Sequence, residues 1–180
     1  MADCGLIEPA NQIVVTGDPL VVVKRVVTAT NVAPGRLVKY STDDSGIVVL
    51  AAATDNPLGW VGYEQAGNYY TDGHAITTAY TANDMVPILF GGHFVIKART
   101  ATNLTCGDTL IGAANGLVAL AVAIDVVVTA GSTTVLGSAA GSAACTESGS
   151  KPPGGQVVGV AMETVLGGTT EDFVMVLSYI

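Results

Sequence analysis

The sequence predicts an all-β fold, a small β-barrel or β-sandwich built from two similar halves. Composition is the first reason. Of 180 residues, 49% are apolar, only 12% are charged, and 22 are glycine. Valine, alanine and threonine dominate while long charged helix formers are scarce, a bias toward strands and turns. The second reason is rhythm: apolar, β-branched runs recur, each closed by a Gly, Pro, Asn or Asp turn signal. The third is repetition, because the order of runs and turns in the first half returns in the second.

Taken in order, residues 1–18 carry no clear pattern beyond Ile13, Val14 and Val15, with Pro9, Gly17 and Pro19 around them. They predict an N-terminal arm, of the kind that orders against a neighbouring subunit. The barrel domain then spans residues 19–180. Residues 19–28 read as a strand, Ala33-Pro34-Gly35 as a turn and residues 36–40 as a second strand. Asp43-Asp44-Ser45-Gly46 is a hairpin-type turn into residues 47–51. Asp55-Asn56-Pro57 breaks the chain before residues 58–63. Residues 85–90 and 93–97 flank Gly91-Gly92, a turn or bulge. Pro87 lacks a backbone donor and predicts an edge position or a strand start.

The second half answers element by element. Residues 105–107 match 33–35, 108–111 match 36–39, and 114–116 supply the hairpin turn. Residues 117–120 match 47–50, 157–161 match 58–62, and 172–177 match the strand at 86–90. The copies differ in one place. The second carries an Ala/Gly/Ser-rich insertion over residues 121–155, ending in Lys151-Pro152-Pro153-Gly154-Gly155 and predicting a surface excursion. Only residues 119–128 are ambiguous between helix and strand.

Charge excludes some functions. With 15 acidic against 7 basic residues the net charge is −8, and the basic residues are scattered. No basic stripe offers itself to nucleic acid. The longest apolar run, residues 117–128, is broken by Asp125 and too short to span a bilayer. The N-terminus lacks a basic, then apolar, leader pattern, which predicts synthesis in the cytoplasm. Cys4, Cys106 and Cys145 are widely spaced and odd in number, and read as incidental thiols.

Residues able to carry chemistry are sparse. His74 and His93 are the only histidines, with no Gly-x-Ser-x-Gly elbow to place a nucleophile. No phosphate-binding glycine loop occurs. Asp43, Asp44 and Asp55 lack calcium-loop spacing and read as turn caps. Ala161-Met162-Glu163 stands one residue from the Ala-Met-Lys of biotin-carrier hairpins, but a glutamate offers no amine to acylate. Hence no catalytic, metal-binding or cofactor-binding residue is predicted, and no enzyme. The aromatic set Trp60, Tyr63, Tyr69, Tyr70 and Tyr80 suits core or subunit interface better than a sugar platform. The candidate interface residues are Ile13, Val14 and Val15 in the arm and Tyr69, Tyr70 and Tyr80 in the loop over residues 67–84.

Against these motifs a resemblance emerges. The stretches VPILFGGHFVIKA, LTCGDTLIGAANGLV, VVGVAMETV and DFVMVLSYI follow one another in a recurring order, and VAPGRLVKYSTDDSGIVVL through PLGWVGYEQA repeats the opening unit. The chain resembles the capsid decoration, or cement, proteins of tailed phages and tailed archaeal viruses over residues 20–120 and 156–180. The arm and the insertion depart from the pattern. The resemblance implies a virion structural protein on the capsid exterior, often trimeric, that binds major capsid protein on the expanded head. It implies no cofactor, no nucleic acid and no membrane as partner. A carbohydrate- or receptor-binding module of a virus particle is the alternative.

Overall fold

A computed structural model of the chain describes residues 13–28, 30–42, 46–63, 79–121, 156–166 and 171–180. Among them lie β1 (Val14–Thr16), β2 (Leu20–Arg25), β3 (Leu37–Tyr40), β4 (Ile47–Val49), β5 (Gly59–Val61) and β6 (Met85–Phe90). The second half contributes β7 (Val95–Thr100), β8 (Thr109–Gly112), β9 (Val118–Leu120), β10 (Val157–Ala161) and β11 (Asp172–Ser178). A single 3-10 turn, Ala114–Gly116, joins β8 to β9. The fold is all-β, as composition and rhythm predict. Most of the insertion, residues 122–155, lies outside the described residues, as do residues 1–12 of the arm.

Each half forms its own sheet. The first runs β2-β6-β5-β3-β4 and the second β1-β7-β11-β10-β8-β9. In the second, Thr100 of β7 also pairs in parallel with Val118 of β9. That pairing closes β7, β11, β10, β8 and β9 into a five-stranded barrel, with β1 appended to β7. In the first, a parallel bridge between Val26 and Ile47 joins the two ends in the same manner. Replacing β2 to β6 by β7 to β11 converts one strand order into the other. Closure removes most of the exposed edge that an open sheet would leave.

The duplication reaches single hydrogen bonds. Gly35 N–H donates to Val61 O at 2.9 Å, and Gly107 N–H to Ala161 O at 2.8 Å. Val61 N–H donates to Arg36 O at 2.8 Å, and Ala161 N–H to Asp108 O at 2.9 Å. The matching glycines of β5 and β10, the fourth strand of each unit, have one cause. A Cβ on Gly59 would stand 2.5 Å from Leu89 O, and one on Gly159 2.3 Å from Leu177 O. Backbone packs against backbone there, so only glycine fits.

Two apolar clusters hold the fold. Val26, Val38, Ile47, Val61, Val86 and Ile88 fill the first barrel. Their strand neighbours Leu37, Trp60 and Leu89 face the other way and belong to a larger cluster with Phe94, Ile96, Leu110, Val158, Val174 and Val176 of the second. Adjacent residues of β3, β5 and β6 are therefore buried on both faces, and a polar–apolar alternation is missing from them. Trp60 is fully buried, and its indole Nε1–H donates to Ser178 Oγ at 2.9 Å.

Pro87 corrects one expectation. It lies inside β6, between β2 and β5, not at an edge. Its carbonyl accepts the Gly62 N–H at 2.8 Å, so its backbone faces the side of β5 rather than β2. There β5 ends at Val61. The missing donor thus falls where the neighbouring strand stops.

Candidate interaction surface

The contact between the two units is built from the turn at residues 33–36. Gly35 has φ +79°, and a Cβ there would stand 2.4 Å from Lys97 O. Its carbonyl accepts the Arg99 N–H at 3.1 Å, and Pro34 O accepts Arg99 Nε–H at 2.9 Å. Arg36 Nη2 reaches both Glu171 oxygens, at 2.7 and 2.6 Å, and Arg99 Nη1 lies 3.5 Å from Glu171 Oε2. The Arg99 guanidinium also stacks 4.8 Å over the Phe173 ring. Two buried guanidiniums thus share one carboxylate. Burial first, and the Arg36 charge second, pull the Arg99 pKa below its ordinary value, while Glu171 works against both.

Outward from the first unit lies a different surface. Leu20, Val21, Val23 and Met85 are each more than half exposed. Val21 and Val23 of β2 stand opposite Leu89 and Pro87 of β6, and Arg25 opposite Met85. Val21, Val23 and Met85 lie on the outer face of β2–β6, beside the buried Leu89. Among the described residues no strand pairs with the other edge of β2 between Leu20 and Val23. An apolar strand with an unpaired edge is a template for another chain.

Of the residues expected from sequence at an interface, Ile13, Val14, Val15 and Tyr80 have the following places in the fold. Ile13 is buried in the larger cluster, and its carbonyl accepts the Lys97 N–H at 2.8 Å. Val14 pairs with Ile96, and Val14 and Val15 are half-buried on β1. Tyr80 is half-buried against the first barrel's core, its hydroxyl donating to Gly62 O at 3.1 Å. Tyr69 and Tyr70 lie outside the described residues. Trp60 and Tyr63 pack into or against the larger cluster, as the core reading of the aromatic set requires. The exposed face of β2 was signalled by an apolar run, Leu20 to Val23, with no alternation to mark one side as solvent.

Asp55 and Glu163 have structural roles. Asp55 Oδ2 accepts the N–H groups of Ala51 and Ala52 at 2.7 and 3.1 Å, and Oδ1 accepts from Lys39 Nζ at 2.7 Å. Lys39 and these N–H donors hold its carboxyl below the usual carboxylate range, against the pull of burial. Glu163 Oε1 accepts the Met175 N–H at 2.6 Å, binding the end of β10 to β11. His93 is exposed in the turn before β7, at φ +59°. Asp43, Asp44 and His74 lie outside the described residues. Among the described residues no group of three or more His, Cys, Asp or Glu converges on a metal-sized space. Cys106 is disulfide-bonded, which corrects its reading as an incidental thiol. Spacing along the chain carries no information on distance in space. Its partner lies outside the described residues.

Comparison with known proteins adds the following. The family model described as XM1 gp53 minor capsid protein matches residues 7–162. No curated protein matches the chain. Among solved structures, the head fiber gp8.5 N base in bacteriophage phi29 aligns with a TM-score of 0.49 at 14% identity, covering 88% of this chain and 94% of that one.

Proposed function

The chain belongs to the XM1 gp53 minor capsid protein family, and from that premise we propose that it decorates the outer surface of the expanded viral head and stabilises the major capsid protein lattice, as a trimer. The family match over residues 7–162 carries this reading. The fold supports it. Two barrels locked by a shared core and a buried charge clamp make a rigid body, and a rigid body loses little conformational freedom on binding. Stabilisation of the head follows from linkage. A protein that binds the expanded lattice and not its precursor stabilises the expanded state, by about 2.7 kcal/mol per site at a free concentration one hundred times Kd. Many sites multiply that effect. The receptor-binding alternative loses part of its support, because Trp60 is fully buried and cannot form a sugar platform.

The test mixes purified protein with undecorated expanded heads and with unexpanded precursor shells. Co-sedimentation with the expanded form alone is expected. Failure to bind either form, or equal binding to both, overturns the proposal. Light scattering on the free protein is expected to give three times the 18.1 kDa of one chain.

A further inference from the structure

The second barrel fills a seat that the first leaves open. We propose that β2 of a second copy of this chain fills it, the two β2 strands pairing antiparallel about a two-fold axis at Val22. The inference goes beyond the function proposed above, because a two-fold contact cannot close a trimer and instead joins one trimer to the next. It rests on that reading only for where trimers meet.

The seat is read from the second barrel. Each barrel closes by one parallel bridge, Val26 to Ile47 in the first and Thr100 to Val118 in the second. Val26 answers Thr100, so Val21, Val22 and Val23 answer Val95, Ile96 and Lys97. On β7 those residues carry β1, antiparallel, with Val14 opposite Ile96 and Lys97 N–H donating to Ile13 O at 2.8 Å. An antiparallel strand thus fits at this place with the closing strand present. On β2 no strand pairs there among the described residues, and Leu20, Val21 and Val23 are 61%, 57% and 53% exposed.

Hydrogen bonding says which groups point outward. Val26 N–H donates to Asp84 O at 2.9 Å on the β6 side. Alternate residues of an antiparallel strand face the same neighbour, so Lys24, Val22 and Leu20 also turn their backbone to β6. Val21 and Val23 turn theirs outward, as Lys97 does on β7.

The precedent names the occupant. β1 brings an uncharged, β-branched run, Val14-Val15-Thr16. β2 offers the same kind of run, Leu20-Val21-Val22-Val23, on an exposed edge. Seat and occupant are then one strand, the condition for a two-fold contact. One symmetric register serves. With Val22 facing Val22 across the axis, Val21 of each copy faces Val23 of the other, and each such pair exchanges both its N–H···O=C bonds. Moving the axis to Val21 sets Val23 against Pro19, which has no N–H. Moving it to Val23 sets Val21 against Arg25, whose carbonyl lies at the barrel closure, 2.6 Å from where a Cβ on Gly46 would be. Charge agrees with the middle register. Lys24 faces Leu20 of the other copy and covers it with its aliphatic stem. The two lysines stand about 14 Å apart along the strands, beyond the screening length of about 8 Å at physiological salt. The run from Leu20 to Lys24 falls well short of the roughly 800 Å² per partner of a stable interface. The contact is therefore weak between free molecules and takes hold where copies are held side by side.

The test uses full-length protein. Val23→Pro deletes one outward N–H from each copy and no bond to β6, a place where an edge strand tolerates proline. Val21→Lys puts a charge on the edge and serves if the proline variant does not fold; circular dichroism and thermal unfolding verify both. In sedimentation equilibrium at high concentration, wild type is expected to double the mass of its basic assembly. Val23→Pro is expected to do so about 30-fold less tightly, through the loss of one hydrogen bond from each copy, and Val21→Lys to stay at the basic mass. Register is read by oxidising an equimolar mixture of Val21→Cys and Val23→Cys. A cross-link between positions 21 and 23 of two chains is expected from the mixture, where opposed residues stand about 5.5 Å apart. Neither variant alone is expected to form one, because like positions stand beyond the reach of about 7 Å. Wild type that never doubles over its soluble range, a folded variant that doubles like wild type, or a mixture that cross-links no better than its parts each overturns the proposal. Head binding is measured in parallel. Doubling without head binding sinks the head-decoration reading and leaves this contact standing; trimers that bind heads and never double do the reverse.

Discussion

Replacing Glu171 by glutamine tests the clamp between the units. The substitution keeps shape and removes the charge that two buried guanidiniums share. Arg36 loses its two-pronged partner, and its repulsion with Arg99 is left without an anion between them. Breaking a buried ion pair costs about 3–5 kcal/mol. The Glu171 side chain is 37% exposed, so water makes good part of the loss. Screening brings the expected cost to about 2–3 kcal/mol. In a chain of this size that is a fall in Tm of about 4–12 °C. Differential scanning calorimetry at neutral pH and low salt reads it directly, with far-UV circular dichroism confirming an unchanged fold. A fall of less than about 2 °C would refute the claim that this carboxylate compensates the two arginines.

Two further outcomes follow from local geometry. The Asp55 carboxyl titrates below its ordinary range when folded, chiefly through Lys39, so its contribution is present above the unfolded pKa and lost as pH falls through the folded one; Asp55→Asn should therefore lower Tm near neutrality, remove that share of the acid-side decline, and change little in strong acid, where the carboxyl is protonated in both states. Gly59→Ala and Gly159→Ala each drive a Cβ into a carbonyl oxygen of a buried strand, and each should destabilise by about 1–3 kcal/mol in urea unfolding. An unchanged midpoint for either would mean that β5 or β10 can slide away from its neighbour.

How much of this was legible depends on whether the cause was local. Turns were, because Gly35, Gly107 and Asn115 sit at positive φ where few residues fit, and the sequence shows them directly. The duplication was legible for another reason: at Gly59 and Gly159 a neighbouring strand's carbonyl leaves no room for a Cβ, so glycine recurs at matching places. The closing of each half on itself was not, because closure hangs on one bridge in each, Val26 to Ile47 and Thr100 to Val118. The clamp was equally hidden, since Arg36 and Glu171 lie far apart in sequence. Ile13 illustrates a third case. Its apolar character calls for cover without naming the cover, and the described contacts belong to β7 of its own chain. The exposed face of β2 is not legible, because a strand buried on both faces and one exposed on its outer face have the same apolar sequence.

The matching strand orders also bear on how the chain reaches its fold. Each strand has a decoy in the other half, built on the same turns and register, and tandem repeats are prone to exchange such elements during folding. Discrimination then rests on the few positions where the halves differ in size. Trp60 is the largest of them: its counterpart in β10 is Val160, and Ser178, which receives its indole proton, has Phe90 as counterpart in β6. An exchanged β5 would carry an indole into a place shaped for valine and break its bond to Ser178. The same bond that secures the mature seam therefore proofreads which half each strand joins.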